Sequence, residues 1–130
     1  RYINNELYTD KPDGLSGNED CGQMSAWYIL SSMGFYPVNP SNGAYVFGSP
    51  LFDEVSLNIP GQNKFKISAK NNSDENIYIQ SVSLNGKDYK YSYITHKQIL
   101  KGGELKFVMG PNPNKNFGTE KKYRPKSIVY

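Results

Sequence analysis

The sequence predicts an α+β chain in which one buried helix precedes an antiparallel β-rich segment, closed as a sheet or small sandwich. Three observations carry that expectation. In residues 21–33, CGQMSAWYILSSM, Met24, Trp27, Tyr28, Leu30 and Met33 share one broad helical face, and Ala26 and Ile29 extend the apolar surface nearly all round. After residue 34 the apolar period shortens to two. Val55, Leu57 and Ile59 alternate with Ser56 and Asn58, and Phe65, Ile67 and Ala69 alternate with Lys66 and Ser68, the pattern of strands with one buried face. Asn85-Gly86, directly after the run IYIQSVSL, is a two-residue hairpin signal.

The elements follow in order. Residues 1–8, RYINNELY, read as the end of a helix, and TDKPDGLSGNED, with Pro12, Gly14 and Gly17, is a loop by composition. The main helix then runs over 21–33. Gly34 suits the left-handed residue beyond its C-terminus, and Pro37 enforces the stop. YPVNP and YVFGSPLF are short, proline-punctuated and extended. Strands are predicted around 55–59, 65–69 and 77–84; beyond the hairpin, Tyr89, Tyr91 and Tyr93 fall on one face. Residues 95–101 form a helical turn capped by Thr95. Gly102-Gly103 turns into ELKFVMG, where Leu105, Phe107 and Met109 alternate, and the Asn-, Pro- and Lys-rich tail from Pro111 is irregular. The chain divides into 1–36, 37–118 and a tail 119–130. One sheet covers one side of so apolar a helix, so residues 1–34 are expected to pack against helices supplied by upstream domains of a longer parent. The exposed apolar surface could otherwise support a dimer.

Composition narrows the function. With 130 residues, 37% apolar and 21% charged, the chain is globular and long enough for one core. Eleven tyrosines beside many Asn and Gly suit strands with wet faces. The net charge is +3 without a basic stripe; EKKYRPK at 120–126 reads as a solvated tail, and a nucleic-acid partner is not expected. No apolar run approaches the roughly 20 residues of a membrane span. Cys21 is the single cysteine, which excludes an internal disulfide and a multi-cysteine zinc site; it is read as a small buried residue. Trp27 and Tyr28, mid-helix, are read as core. His96 is read as a surface residue, and Asn71-Asn72-Ser73 fits the N-glycosylation pattern.

The acids Glu19 and Asp20 stand where the loop meets the helix. One reading is structural: Asp20-Cys21-Gly22-Gln23 fits a capping box, with the Asp20 side chain accepting a backbone N–H near Gln23. That leaves Glu19 unexplained. The other reading is catalytic. A carboxylate at a helix N-terminus is favoured in its ionised form, which suits a general base that deprotonates water. The pair could also offer hard oxygens to calcium, with Asn18 and loop carbonyls helping. Adjacent residues do not straddle a glycosidic bond, since an inverting glycosidase needs its two carboxyls roughly 6.5–9.5 Å apart. Gln23 and Ser25, at the start of the helix, would face such a site.

The blocks DGLSGNEDCGQMSAWYILSSMGFYPVNP, YVFGSPLFDEVSL, IYIQSVSLNGK and ITHKQILKGGELKFVMGPNPN, in this order, resemble the C-terminal end of family 92 glycoside hydrolases, the calcium-dependent exo-α-mannosidases. The resemblance covers about residues 8–118. It implies that the helix closes an (α/α)6 toroid, that the parent hydrolyses terminal α-mannosides, chiefly α-1,2-linked, with inversion, and that a calcium ion grips the sugar. It assigns Asp20 as general base, with Glu19 as the neighbour that shapes or assists it; Asn18 and Gln23, flanking the pair in the sequence, are the candidate substrate-binding residues. The general acid has no counterpart here, so the chain alone is expected to be inactive. Such a protein would work in a bacterial periplasm, at the cell surface or secreted. The competing expectation is a non-catalytic β-rich carbohydrate-binding or structural module, whose binding would depend on the tyrosines rather than on the acids.

Overall fold

A computed structural model describes residues 1–61 and 63–126. Two helices open the chain, α1 (Tyr2–Glu6) and α2 (Gln23–Ser32). Strands β1 (Phe35–Asn39), β2 (Ala44–Phe47), β3 (Glu54–Ile59), β4 (Asn63–Lys70), β5 (Tyr78–Leu84), β6 (Lys87–Asp88) and β7 (Tyr93–Thr95) follow. Helix α3 (His96–Leu100) and strand β8 (Gly103–Gly110) come last, before an irregular tail. The α+β class is therefore as expected. The strands form two sheets, ordered β1-β2-β7 and β3-β4-β8-β5-β6.

The punctuation signals act where they stand. Gly34 has φ 94°, and a Cβ there would lie 3.1 Å from the Cβ of Pro50 and 3.3 Å from Cε2 of Phe107, so both conformation and space demand glycine. Asn85 and Gly86 both have positive φ and join β5 to β6. Thr95 caps α3 in a complete capping box with Gln98.

Pairing is antiparallel except at one seam. β4 and β8 run parallel, with Ile67 opposite Leu105 and Ala69 opposite Phe107. The alternation of apolar residues identifies a strand's buried face but not its direction, and the chain returns through β7 and α3 before β8 inserts between β4 and β5. The core gathers there: Phe65, Ile67 and Ala69 of β4 meet Leu105, Phe107 and Met109 of β8, roofed by Met33, Phe35, Ile94 and Ile99.

Helix α2 is less covered than its composition suggests. Ser32 is its one fully buried residue, and Ile29 is 57% exposed. Tyr2, Ile3 and Leu7 of the α1 segment are exposed as well, because α1 and the sheets cover only part of the helical layer. Trp27 and Tyr28 are half-buried rather than core. Cys21, expected to be buried, is exposed, because it stands in the turn before α2 with φ 58° and not in the helix. No helix among the described residues is long and apolar enough to cross a membrane.

Beyond Asp88 the strand stops, yet Tyr89, Tyr91 and Tyr93 still form a ladder with ring centroids 5.4 and 5.6 Å apart. The Tyr89 hydroxyl donates to Oε1 of Gln98 at 3.3 Å. Burial pushes this phenol's pKa up, partly offset by the bond to Gln98. The neutral form is thus favoured in the fold. Its contribution is full below the unfolded value near 10 and falls as pH rises through the higher folded value. Thermal unfolding between about pH 9 and pH 11 should accordingly show a smaller alkaline loss in Tyr89→Phe than in the wild type; equal losses would disprove this role.

Candidate active site

The loop before α2 is tightly closed. Tyr8 bridges Leu15, the Thr9 N–H donates to Gly14 O at 2.9 Å, and the Gly14 N–H donates to Lys11 O at 2.9 Å. A Cβ on Gly14 would fall 2.2 Å from Thr9 O, so no other residue fits. The turn delivers residues 16–20 to the head of α2. Asp20, Cys21 and Gly22 then take φ of 53°, 58° and 93°, three left-handed residues in succession. Asp tolerates this region, whereas a residue such as Cys pays about 1–3 kcal/mol to occupy it. Strain of this kind persists only where the surrounding contacts hold it.

Those contacts are the amides of the helix start. The Gln23 N–H donates to Asp20 O at 3.3 Å, Met24 N–H to Glu19 O at 3.2 Å and Ala26 N–H to Gly22 O at 3.0 Å. The Ser25 N–H donates to the side chain of Glu19, Oε1, at 3.1 Å. Glu19 therefore does the capping expected of Asp20, and α2 has no side-chain cap bond at the conventional position, which Gly22 occupies. The left-handed turn folds the chain back so that the longer Glu arm overlies the first helical turn. The Asp20 side chain is left exposed, with no hydrogen bond or ion pair among the described residues.

Glu19 is held through one of its two carboxylate oxygens. Its Oε2 is buried without a hydrogen-bond partner among the described residues, a costly condition for a carboxylate oxygen unless something else completes it. Tyr8 stands nearby and donates its hydroxyl to Met24 O at 3.1 Å. Burial first, then the negative charge of Glu19 and the neighbouring Tyr36, push its phenol pKa up. The Tyr8 ring stacks on Trp27 at 5.7 Å and tilts against Tyr28 at 4.9 Å; Trp27 in turn meets Tyr36 at 6.3 Å.

Sequence reasoning missed this aromatic clamp. Its one signal is the position of Tyr8, immediately before the loop whose far end carries the acids. Of the candidate residues at the loop–helix junction, the structure joins Glu19 to Ser25. It leaves Asn18, Asp20 and Gln23 on the exposed stretch around the turn. His96 is exposed as expected, its Nδ1 3.2 Å from the Tyr45 hydroxyl. A cleft of about 270 Å³ beside α1, lined by Arg1, Asn4, Trp27 and Tyr36 among others, does not include the acids. Calcium takes 6–8 oxygen ligands. Among the described residues no group of three or more His, Cys, Asp or Glu could hold a metal ion, so Glu19 and Asp20 would need carbonyl, amide or water oxygens to complete a calcium shell.

Residues 1–111 match the family model described as the glycosyl hydrolase family 92 catalytic domain. The chain belongs to glycosyl hydrolase family 92. The family GH92 α-mannosidase BT3965 from Bacteroides thetaiotaomicron superposes with a TM-score of 0.91 at 40% identity, over 98% of this chain and 17% of that one. The family GH92 inverting mannosidase BT2199 of the same organism gives 0.89 at 42%, over 96% and 17%. An uncharacterized secreted glycosidase of Arthroderma benhamiae is 34% identical over 93% of this chain. The chain spans 16% of the length of that relative.

Proposed function

We propose that this chain supplies the general-base side of an inverting exo-α-mannosidase that removes terminal mannose, chiefly α-1,2-linked, from glycans outside the cytosol. The observation that carries the reading is the division of labour between the acids. Glu19 absorbs the capping requirement, so the Asp20 carboxylate stands free on a rigid left-handed turn.

In this role Asp20 accepts a proton from water as that water attacks the anomeric carbon. The leaving oxygen is protonated from the opposite face by an acid roughly 6.5–9.5 Å away, outside this loop. Glu19 is a positioning residue. Its bond to Ser25 fixes the turn from which Asp20 projects. Asn18 and Gln23, exposed on either side, are the substrate-facing amides. The solved relatives support this, one an inverting mannosidase and another an α-mannosidase in complex with mannoimidazole. The relative named as secreted supports the location. The uncovered apolar face of α1 and α2 supports packing against further helices of a longer protein, since so much exposed apolar surface is otherwise costly.

Hydrolysis of α-1,2-mannobiose followed by NMR tests the reading. The longer protein should release β-mannose first, and the 130-residue chain alone should release none. Turnover by the isolated chain, or α-mannose as first product, would reject it.

A further inference from the structure

A second cavity, of about 220 Å³, lies between β5 and the irregular tail. One of its walls is residues 114–123, which fall beyond the stretch matched by the family model. That wall is pinned at both ends. Near its start, Nε2 of Gln80 donates to Asn112 O at 2.7 Å, and Nδ2 of Asn114 donates to Gln80 O at 2.7 Å. At its end the N–H and Oγ of Ser92 both donate to Tyr123 O, at 2.9 and 3.2 Å. Gly118, at φ 66°, lets the chain pass so close that a Cβ there would sit 2.9 Å from Ser92 Cβ. The cavity is thus built by long-range hydrogen bonds.

Its lining has a specific chemistry. Tyr89, Phe117 and Tyr123 contribute aromatic surface. Ser81, Asp88, Lys90 and Asn116 bring a hydroxyl, a carboxylate, an ammonium and an amide to the same space, and none of these four side chains has a hydrogen bond or ion pair among the described residues. The second carboxylate of the lining, Glu120, is engaged with Lys122 at 2.9 Å. An anionic ligand would meet Asp88 and Glu120, and a cation would meet Lys90. A neutral molecule with one apolar face and adjacent hydroxyls satisfies all of them. The rings cover its C–H face, while the ammonium and amide donate to hydroxyl oxygens and the carboxylate accepts from hydroxyl hydrogens. The volume lies below the roughly 300–1,000 Å³ of drug-sized pockets, which suits one ring.

We propose that the cavity between β5 and the tail is a binding site for a single neutral hexopyranose unit of a glycan, separate from the loop that carries Glu19 and Asp20. It does not depend on the catalytic reading. A mannosidase whose base proved to be another residue would still carry this site.

Titrating methyl α-D-mannopyranoside into the full chain while following backbone amide NMR signals tests it. Saturable shifts are expected at residues 80–82, 88–90 and 114–118, with a dissociation constant of about 1 mM. Asp88→Asn combined with Asn116→Ala, both exposed and so compatible with the fold, should weaken binding about tenfold or more. Asp20→Asn should leave it unchanged. Shifts that do not saturate, shifts confined to residues 16–25, loss of binding in Asp20→Asn, undiminished binding in the double variant, or displacement of the sugar by phosphate would each overturn the proposal.

Discussion

Asp20→Asn in the longer protein should lower kcat by about 10²–10⁴-fold while leaving KM nearly unchanged. The side chains are close to isosteric, so the turn and its left-handed φ are preserved; Asn is as tolerant of that region as Asp. What is lost is the ability to accept a proton from water. Because Glu19 and not Asp20 caps α2, the substitution removes no helix-end hydrogen bond, and thermal stability should stay within about 0.5 kcal/mol of the wild type. That pairing of results separates a base from a cap. Had Asp20 been the cap, the same change would have cost about 1 kcal/mol of stability with turnover falling only as folded protein was lost. Steady-state kinetics on an α-mannoside, with calorimetry on the same preparations, reads both quantities. Turnover within a few-fold of wild type would remove Asp20 from the mechanism.

Phe107→Ala should be the most damaging change to the fold, at about 3–5 kcal/mol. Phe107 is fully buried in β8, the central strand of the five-stranded sheet. It pairs across to Ala69 on one side and Val82 on the other. Its ring meets Phe47 edge-on at 5.2 Å, and Gly34 lies close by. Phe107 therefore ties the two sheets and the end of α2 together, and neighbours held by that many elements cannot collapse into the space left behind. Against a total stability of about 5–15 kcal/mol, urea denaturation should show the midpoint falling by a large fraction of its value. A loss below about 1 kcal/mol would mean that β8 is not the keystone of the core.

The strand faces were legible because side-chain alternation is local: Val55, Leu57 and Ile59 face inward and Glu54, Ser56 and Asn58 outward, as their order in the chain requires. The parallel seam between β4 and β8 was not legible, since an alternating strand reads the same in either direction. The incomplete cover of α2 was legible as well, since so apolar a helix demands protein on most sides and one sheet covers only one of them. The block of acids and glycines at 14–23 was recognisable as a candidate site. Only the identity of the cap differed, Glu19 in place of Asp20, because the cap rule assumes an extended residue at the helix start, and here three left-handed residues precede it.

By itself the sequence determined what depends on neighbours a few residues apart: the α+β class, the faces of the strands, the glycine stop at Gly34, the Asn85-Gly86 hairpin and the Thr95 cap. These are consequences of sterics and hydrogen bonding along the chain. Only the tertiary structure decided which carboxylate closes the helix and which stands free, how β8 enters the sheet, and that Tyr8 guards Glu19. Each of those rests on which groups meet in space, and the balance between competing partners is struck only once the chain has turned back on itself.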